Sequence, residues 1–385
     1  MYAATGPILG NTIHNPRFGN LPFELDGGFE PELLSAKHCY RVALSVPLCG
    51  SAGLWSPSCI ASAQVAVEEI NRAGGILGRQ VQLVMIDSAI EAPVPVEEIV
   101  HDLIETQTID AIVGMHISAV RQRLAKVVRQ RIPYIYTPLY EGGETGAGIY
   151  AIGETPDLQL GPAIDFLCGT YHLKNWALIG NDYVWPRASH HFAKNKLKSL
   201  GANLVYERYL PFGLDDMWLY AEEIRRSGAD GLLISLVGQD AVLFNRCFGE
   251  MGLDRATVRL SCAIEENGLL ATGESGSKRL FSSSSYFGSL ATDSNAAFRE
   301  KYYNMHGEQA PILNTLGQST YEGVQCLASM IGQYSDNWRQ CTSEYVVHHG
   351  FRSARRQPPS RKHDATLPIY IARADGLQFE IIKNI

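Results

Sequence analysis

The chain has 385 residues, 45% of them apolar and 19% charged, with a formal net charge of −7 at neutral pH. That length exceeds one ordinary core and fits two domains of roughly 150 to 200 residues each. The negative balance gives no basis for nucleic-acid binding by bulk electrostatics. No apolar run approaches the roughly 20 residues needed to span a bilayer.

The opening MYAATGPILGNTIHNPRFGNLPFELDGG has no basic residue before Arg17 and no continuous apolar stretch, so it lacks the pattern of a secretory signal. Taken as a native start, it predicts a protein that stays in the cytosol. Residues 1–38 are rich in Gly, Pro and Asn without a sustained period and read as an N-terminal arm. Residues 23–34 carry enough Leu and Phe to pack on the body or on a second subunit, which leaves room for a homo-oligomer. The eight cysteines contain no CxxC pair, which argues against a zinc site and for free, buried thiols. No cofactor is expected.

From Arg41 strands and helices alternate. Strand RVALSVPL (41–48) precedes QVAVEEINRAGGILGR (64–79), where Val65, Val67, Ile70 and Ala73 recur at helical spacing and Gly74-Gly75 ends the helix. Strand VQLVMID (81–87) completes a strand–helix–strand unit, the building block of a parallel sheet. Helix 94–107, strand 111–115, helix 118–131 and strand 133–138 continue the pattern, with IYAIG (149–153) as the last element before a crossover at 154–162. The alternation then repeats through strands at 176–180 and 231–236 and helices between them, up to LFSSSSYF (280–287). A helical return follows, ending in the long TLGQSTYEGVQCLASMIGQY, and residues 367–382 read as a strand hairpin turning at Asp375-Gly376.

The helix ending AVEEIN-x-x-GGI-x-GR, with the Gly/Ser-rich turn CGSAGLWSPS ahead of it, resembles the first unit of the type I periplasmic-binding-protein fold, of the leucine/isoleucine/valine-binding kind. The resemblance covers residues 40–385. It implies an α/β protein of two doubly wound parallel-sheet lobes joined by a three-crossover hinge, with the ligand cleft between them. The expected division is 39–155 with 286–345 for lobe one, and 156–285 with 346–385 for lobe two.

Doubly wound sheets bind ligands at the carboxyl ends of their strands. Four strand ends are therefore candidates. The turn 47–58 offers Gly50, Ser51, Gly53, Ser56 and Ser58 ahead of a helix N-terminus, and Trp55 either covers the cleft or packs. His116 and Ser118 follow the third strand; the serine is equally suited to capping a helix and to holding a ligand, and the imidazole donates or accepts. Tyr136, Thr137 and Tyr140 follow the fourth. Asp182, Tyr183 and Trp185 stand at the matching strand end of lobe two, where extended chain would aim the two aromatic rings alike. Gly238, Glu265 and Tyr286 are secondary candidates, the carboxylate being a partner for an ammonium group. Asp240 reads as solvated, and Gln318 ranks lower still.

YTPLYEG followed by IGNDYVWPR resembles the amide-sensing branch of the family, which includes a receptor that negatively regulates an aliphatic amidase operon and transport receptors for urea and short-chain amides. By that resemblance Ser118, Tyr136 and Tyr183 match ligand-box residues, while His116 and Trp185 replace tyrosines. The departures turn expectation from acetamide towards a larger amide or an aromatic or imidazole ligand. The reading is a cytosolic receptor for an amide, urea or amino-acid-like ligand that closes and signals to a regulatory protein partner; the alternative is the substrate-binding protein of an ABC transporter. GxSxG, P-loop, HExxH and GxGxxG motifs are missing, so no enzyme is expected. His190-His191 reads as exposed, and the basic run RSARRQPPSRK (352–362) as a solvated loop.

Overall fold

The computed structural model describes residues 39–348, 350–356 and 367–385. The expected arm and the basic run beyond Arg356 lie outside the described residues.

The first unit is β1 (Cys39–Val46), α1 (Ser56–Arg72) and β2 (Gln80–Asp87). α1 starts well before Gln64, because Pro57 sits in its first turn, where the missing N–H is no loss. Ser56 and Ser58, expected in a turn, are therefore helical, and the turn itself is a short 3-10 segment, Ser51–Trp55. Gly75 ends the helix: its N–H donates to Ile70 O at 2.9 Å, its φ is +80°, and a Cβ there would lie 2.0 Å from Arg79 O. Glycine alone fits that turn.

α2 (Val96–Glu105), β3 (Ala111–Gly114), α3 (Ser118–Val128), β4 (Tyr134–Tyr136) and β5 (Ile149–Ala151) complete a five-stranded parallel sheet in the order β2-β1-β3-β4-β5. α3 stops before the expected end, since Arg129 and Gln130 turn to positive φ. The second sheet is built from β6 (Asn175–Asn181), β7 (Asn203–Leu210), β8 (Gly231–Ser235), β9 (Val258–Ser261), β10 (Leu280–Ser284), β11 (Tyr370–Asp375) and β12 (Gln378–Asn384). Its order is β12-β11-β10-β9-β8-β6-β7, and only the C-terminal hairpin runs antiparallel. Helices α4 (Pro156–Tyr171), α5 (Val184–Ser199), α6 (Trp218–Ser227), α7 (Gly238–Glu250) and α8 (Glu266–Thr272) connect its strands. Every residue of β3 and β8 is buried, as befits parallel strands covered on both faces.

After β10 the chain returns through α9 (Asp293–His306), α10 (Thr315–Tyr334) and α11 (Ser343–His348). α10 packs on α1 and behind β3 and β4, with an unbroken buried run from Thr315 to Leu327. The chain thus passes between the sheets after β5, after β10 and before β11, giving two α/β lobes joined by three crossovers.

Candidate functional site

β3 and β4 end at the cleft on one side, β6 and β8 on the other. Between them lies a cavity of about 20 Å³ lined by Trp55, His116, Ser118, Tyr136, Tyr183 and Trp185, with Ile117, Pro138, Leu139, Val237, Ala263 and Leu316. That is room for about one water molecule, so the lobes are shut against each other. Direct bonds hold them: Ser51 Oγ donates to Val237 O at 3.1 Å and accepts from Asp240 N at 3.2 Å. Asn267 Nδ2 donates to Leu54 O at 3.2 Å, and Asn314 Nδ2 to Glu265 Oε2 at 3.1 Å.

On lobe one, Ser118 opens α3 with its hydroxyl 3.4 Å from Tyr136 OH, and that phenol donates to His116 O at 2.7 Å. The Arg121 guanidinium lies over the rings of Tyr136 and Tyr140, 5.0 and 5.4 Å from their centres, and pairs with Glu141 at 2.6 Å and Glu144 at 2.7 Å. Its charge is committed to those carboxylates, and its stacking fixes Tyr136. His116 is 1% exposed, with Nε2 2.9 Å from Tyr134 OH and Nδ1 3.2 Å from Ile117 O. Those partners suit one neutral tautomer, with Nδ1 donating and Nε2 accepting. Burial lowers its pKa to about 3.

The unfolded chain takes up a proton at this histidine below about pH 6.5, while the folded chain resists until about pH 3. Its contribution to stability is therefore present at neutral pH and is lost as pH falls between those values. His116→Gln should flatten the fall of Tm with acid; an unchanged acid slope would show that the imidazole is not held neutral.

On lobe two, Tyr183 is the last extended residue before α5 and Trp185 lies in its first turn. The two rings are neighbours, 6.4 Å between centres, because the helix start folds one over the other rather than through a shared strand face. Phe212 flanks Tyr183 at 5.5 Å. Burial, aided by the nearby Tyr136, raises the Tyr183 phenol well above its ordinary pKa and keeps it a neutral donor.

Five of the expected site residues, His116, Ser118, Tyr136, Tyr183 and Trp185, thus come together around the cavity. The other six have different neighbours. Thr137 is buried with its hydroxyl donating to Gly114 O, and Tyr140 packs edge-on to Tyr136. Asp182 sits on the exposed rim in an ion pair with Arg187 at 2.6 Å. Gly238 lies against the main chain of Ser51 across the cleft. Tyr286 donates to Asn295 Oδ1 at 2.7 Å inside the fold. Glu265 caps α8 through the amides of Asn267 and Gly268 and also receives Asn314, while burial pushes its pKa up to about 8.

Three readings outside that set are corrected. Asp240 is buried, held by Asn181 Nδ2 at 2.7 Å and by Gly213 N at 3.2 Å. His190 is fully buried beside Glu207. Arg355 and Arg356, read as part of a solvated loop, pair with Glu322 instead, Arg355 buried and Arg356 partly so. Trp55, left open by the sequence, is 5% exposed and lines the cavity with its indole Nε1 unpartnered. Leu316 gave no sequence signal; only the docking of α10 behind β3 and β4 delivers it. Among the described residues no cluster of side chains is arranged to hold a metal, and no helix is long and apolar enough to cross a membrane.

A family model described as "Periplasmic binding protein" matches residues 40–341. Among solved structures, an ABC-transporter solute-binding protein from R. palustris in complex with 4-hydroxybenzoate superposes with a TM-score of 0.76 at 17% identity, covering 90% of this chain and 97% of that one. The branched-chain amino acid transporter substrate-binding protein LivJ from Streptococcus pneumoniae, in complex with isoleucine, gives 0.75 at 15%, covering 90% and 99%. The leucine-binding protein LivK from Thermotoga maritima gives 0.72 at 16%, covering 90% and 98%. At these identities the likeness is one of fold.

Proposed function

The chain belongs to the periplasmic binding protein family, and from that premise we propose that it is the ligand-binding receptor of a solute transport system, closing two lobes on a small planar molecule. The observation that carries this reading is the cavity between the strand ends, walled by Tyr136 and Trp55 on one side and Tyr183 and Trp185 on the other. Aromatic walls with one polar corner select a flat body with a polar end. Ser118 Oγ, Tyr136 OH and the start of α3 supply that corner, and a helix N-terminus favours a carboxylate or carbonyl oxygen.

No carboxylate lines the cavity among the described residues, and the nearby Glu265 is occupied by three N–H donors. An ammonium group would therefore be buried without a counter-charge, which is costly. The arrangement favours an aromatic acid or amide over an amino acid. The similar solved structures in complex with 4-hydroxybenzoate and isoleucine are binding proteins of transporters, which supports the transport reading over a cytosolic amide regulator with a regulatory protein partner. The two bodies that close are taken as 39–155 with 286–345 and 156–285 with 346–385. Closure is then only as strong as the ligand's preference for the shut form.

A thermal-shift panel of benzoate, 4-hydroxybenzoate, benzamide, acetamide, urea and isoleucine tests the reading, because a true ligand raises Tm by linkage. An aromatic acid or amide should give the largest rise. Tyr183→Ala and Ser118→Ala should each weaken its binding by about 1–3 kcal/mol, the scale of a buried aromatic or polar contact. Isoleucine as the best ligand, or full affinity in both variants, would overturn it.

A further inference from the structure

The three crossovers meet in one buried ion network. Glu154 follows β5, Ser285 follows β10 and Arg355 precedes β11, so each belongs to a different crossover. The Arg355 guanidinium spans them: Nη1 donates to Glu154 Oε1 at 3.0 Å and to Ser285 Oγ at 2.5 Å. Its Nε and Nη2 donate to Glu322 Oε2, on α10, at 3.0 and 2.8 Å. Ser285 closes the set, donating its hydroxyl and its amide to Glu154 Oε1. Ser353 Oγ donates to Glu322 Oε1, and Arg356 adds bonds to Glu322 Oε2 at 3.3 Å and to Ile152 O at 2.5 Å. The side chains of Arg355 and Glu322 are wholly buried. Burial alone would raise the Glu322 pKa, but the two arginines outweigh it and hold the carboxylate ionised.

A second tie stands on the other lobe. Gln159 Nε2 donates to Ser283 O at 3.2 Å and Ser283 Oγ donates to Gln159 O at 2.9 Å, joining α4 to β10. Only residues 155–158 on the first crossover and Ser284 on the second lie between the two ties. Ser284 Oγ reaches across to Thr315 Oγ1 at 3.0 Å. One turn along α10, on the face shared by Thr315 and Glu322, Gln318 is fully buried with neither amide atom partnered. Buried polar atoms are seldom left unpaired, and spare hydrogen-bonding capacity beside a pivot is what a second arrangement of that pivot would use.

We propose that Arg355 is the clasp of the hinge: it binds all three crossovers to α10, so that the lobes turn about residues 155–158 and Ser284 and the crossovers move as one. The inference deepens the closure mechanism proposed above and rests on it for its purpose, but its test needs no ligand. A guanidinium suits the task because its fixed fork serves two carboxylates and a hydroxyl at once, whereas an ammonium is a single point of charge.

Hydrogen exchange on the full chain decides it, with Ser285→Ala, which keeps every charge, and Arg355→Lys, which keeps the charge but loses the fork. Ser285→Ala carries the test if the lysine variant fails to fold. Amides of 152–161 and 281–288 should exchange about tenfold faster or more, as a locally opened segment does, while those of β1, β3, β8 and β9 keep their parent rates. Uniform acceleration along the chain would make the network a plain stabilising contact and overturn the proposal. Unchanged exchange at the crossovers in Ser285→Ala would overturn it equally.

Discussion

Gly238→Ala should leave both lobes folded and prevent them from shutting. Gly238 opens α7 at a φ of +56°, and a Cβ there would lie 2.0 Å from Ser51 O and 2.7 Å from its carbonyl carbon, both main-chain atoms of the opposite lobe. Backbone cannot rotate aside as a side chain can, so the methyl is accommodated only by parting the lobes. Parting them there breaks the bonds of Ser51 to Val237 O and Asp240 N, and draws Tyr183 and Trp185 away from Tyr136. The cost within lobe two is limited to the left-handed conformation, roughly 1–2 kcal/mol. The cost to binding is larger, because two lobe-to-lobe hydrogen bonds and the aromatic wall are lost together: about 3 kcal/mol, on the order of a hundredfold in affinity. Small-angle scattering should report a larger radius of gyration than the parent with saturating ligand, and calorimetry the weakened binding. Ser51→Ala, which removes the bonds without adding bulk, should fall between. Parent affinity in Gly238→Ala would mean that these lobes do not close along this contact.

How much of this was legible in the chain depends on how far apart the partners are. The βα alternation, the Gly74-Gly75 stop and the C-terminal hairpin are local patterns, and period and turn chemistry suffice to read them. Strand ends are local as well, so His116, Ser118, Tyr136, Tyr183 and Trp185 can be placed at them from the sequence, and the fold brings all five to one cavity. The failures share a cause. Gly238 reads as a secondary cleft candidate, and nothing near it in the chain shows that the main chain of Ser51, from the other lobe, lies against it. Asp182 reads as a cleft residue because its neighbours are, yet its side chain turns out to the rim and pairs with Arg187 one helical turn on. Charge misled most: in RSARR nothing nearby distinguishes a solvated arginine from one whose carboxylates arrive from residues 154 and 322. Burial of a cation is decided by long-range partners, and those are invisible to a local window.

Arg355→Met should be the most destabilising single change among those considered, by about 3–5 kcal/mol, the cost of stripping one partner from a buried ion pair. Methionine fills much of the same volume, so the loss is electrostatic rather than a cavity. Glu154 and Glu322 would be left at 4% and 0% side-chain exposure without the guanidinium that faces both. Arg356, 3.3 Å from Glu322 Oε2, still answers one of them, which caps the loss; among the described residues, Glu154 keeps Ser285 as its side-chain partner. The double variant Arg355→Met with Glu154→Gln distinguishes a stranded charge from lost packing. If the cost comes from the unpaired carboxylate, the second change should restore stability, and denaturant midpoints should show the double variant above the single one. If the cost is packing, the second change adds its own loss. A single variant within about 1 kcal/mol of the parent would show that the network is solvated in the folded protein, since only water could replace the guanidinium at so small a cost.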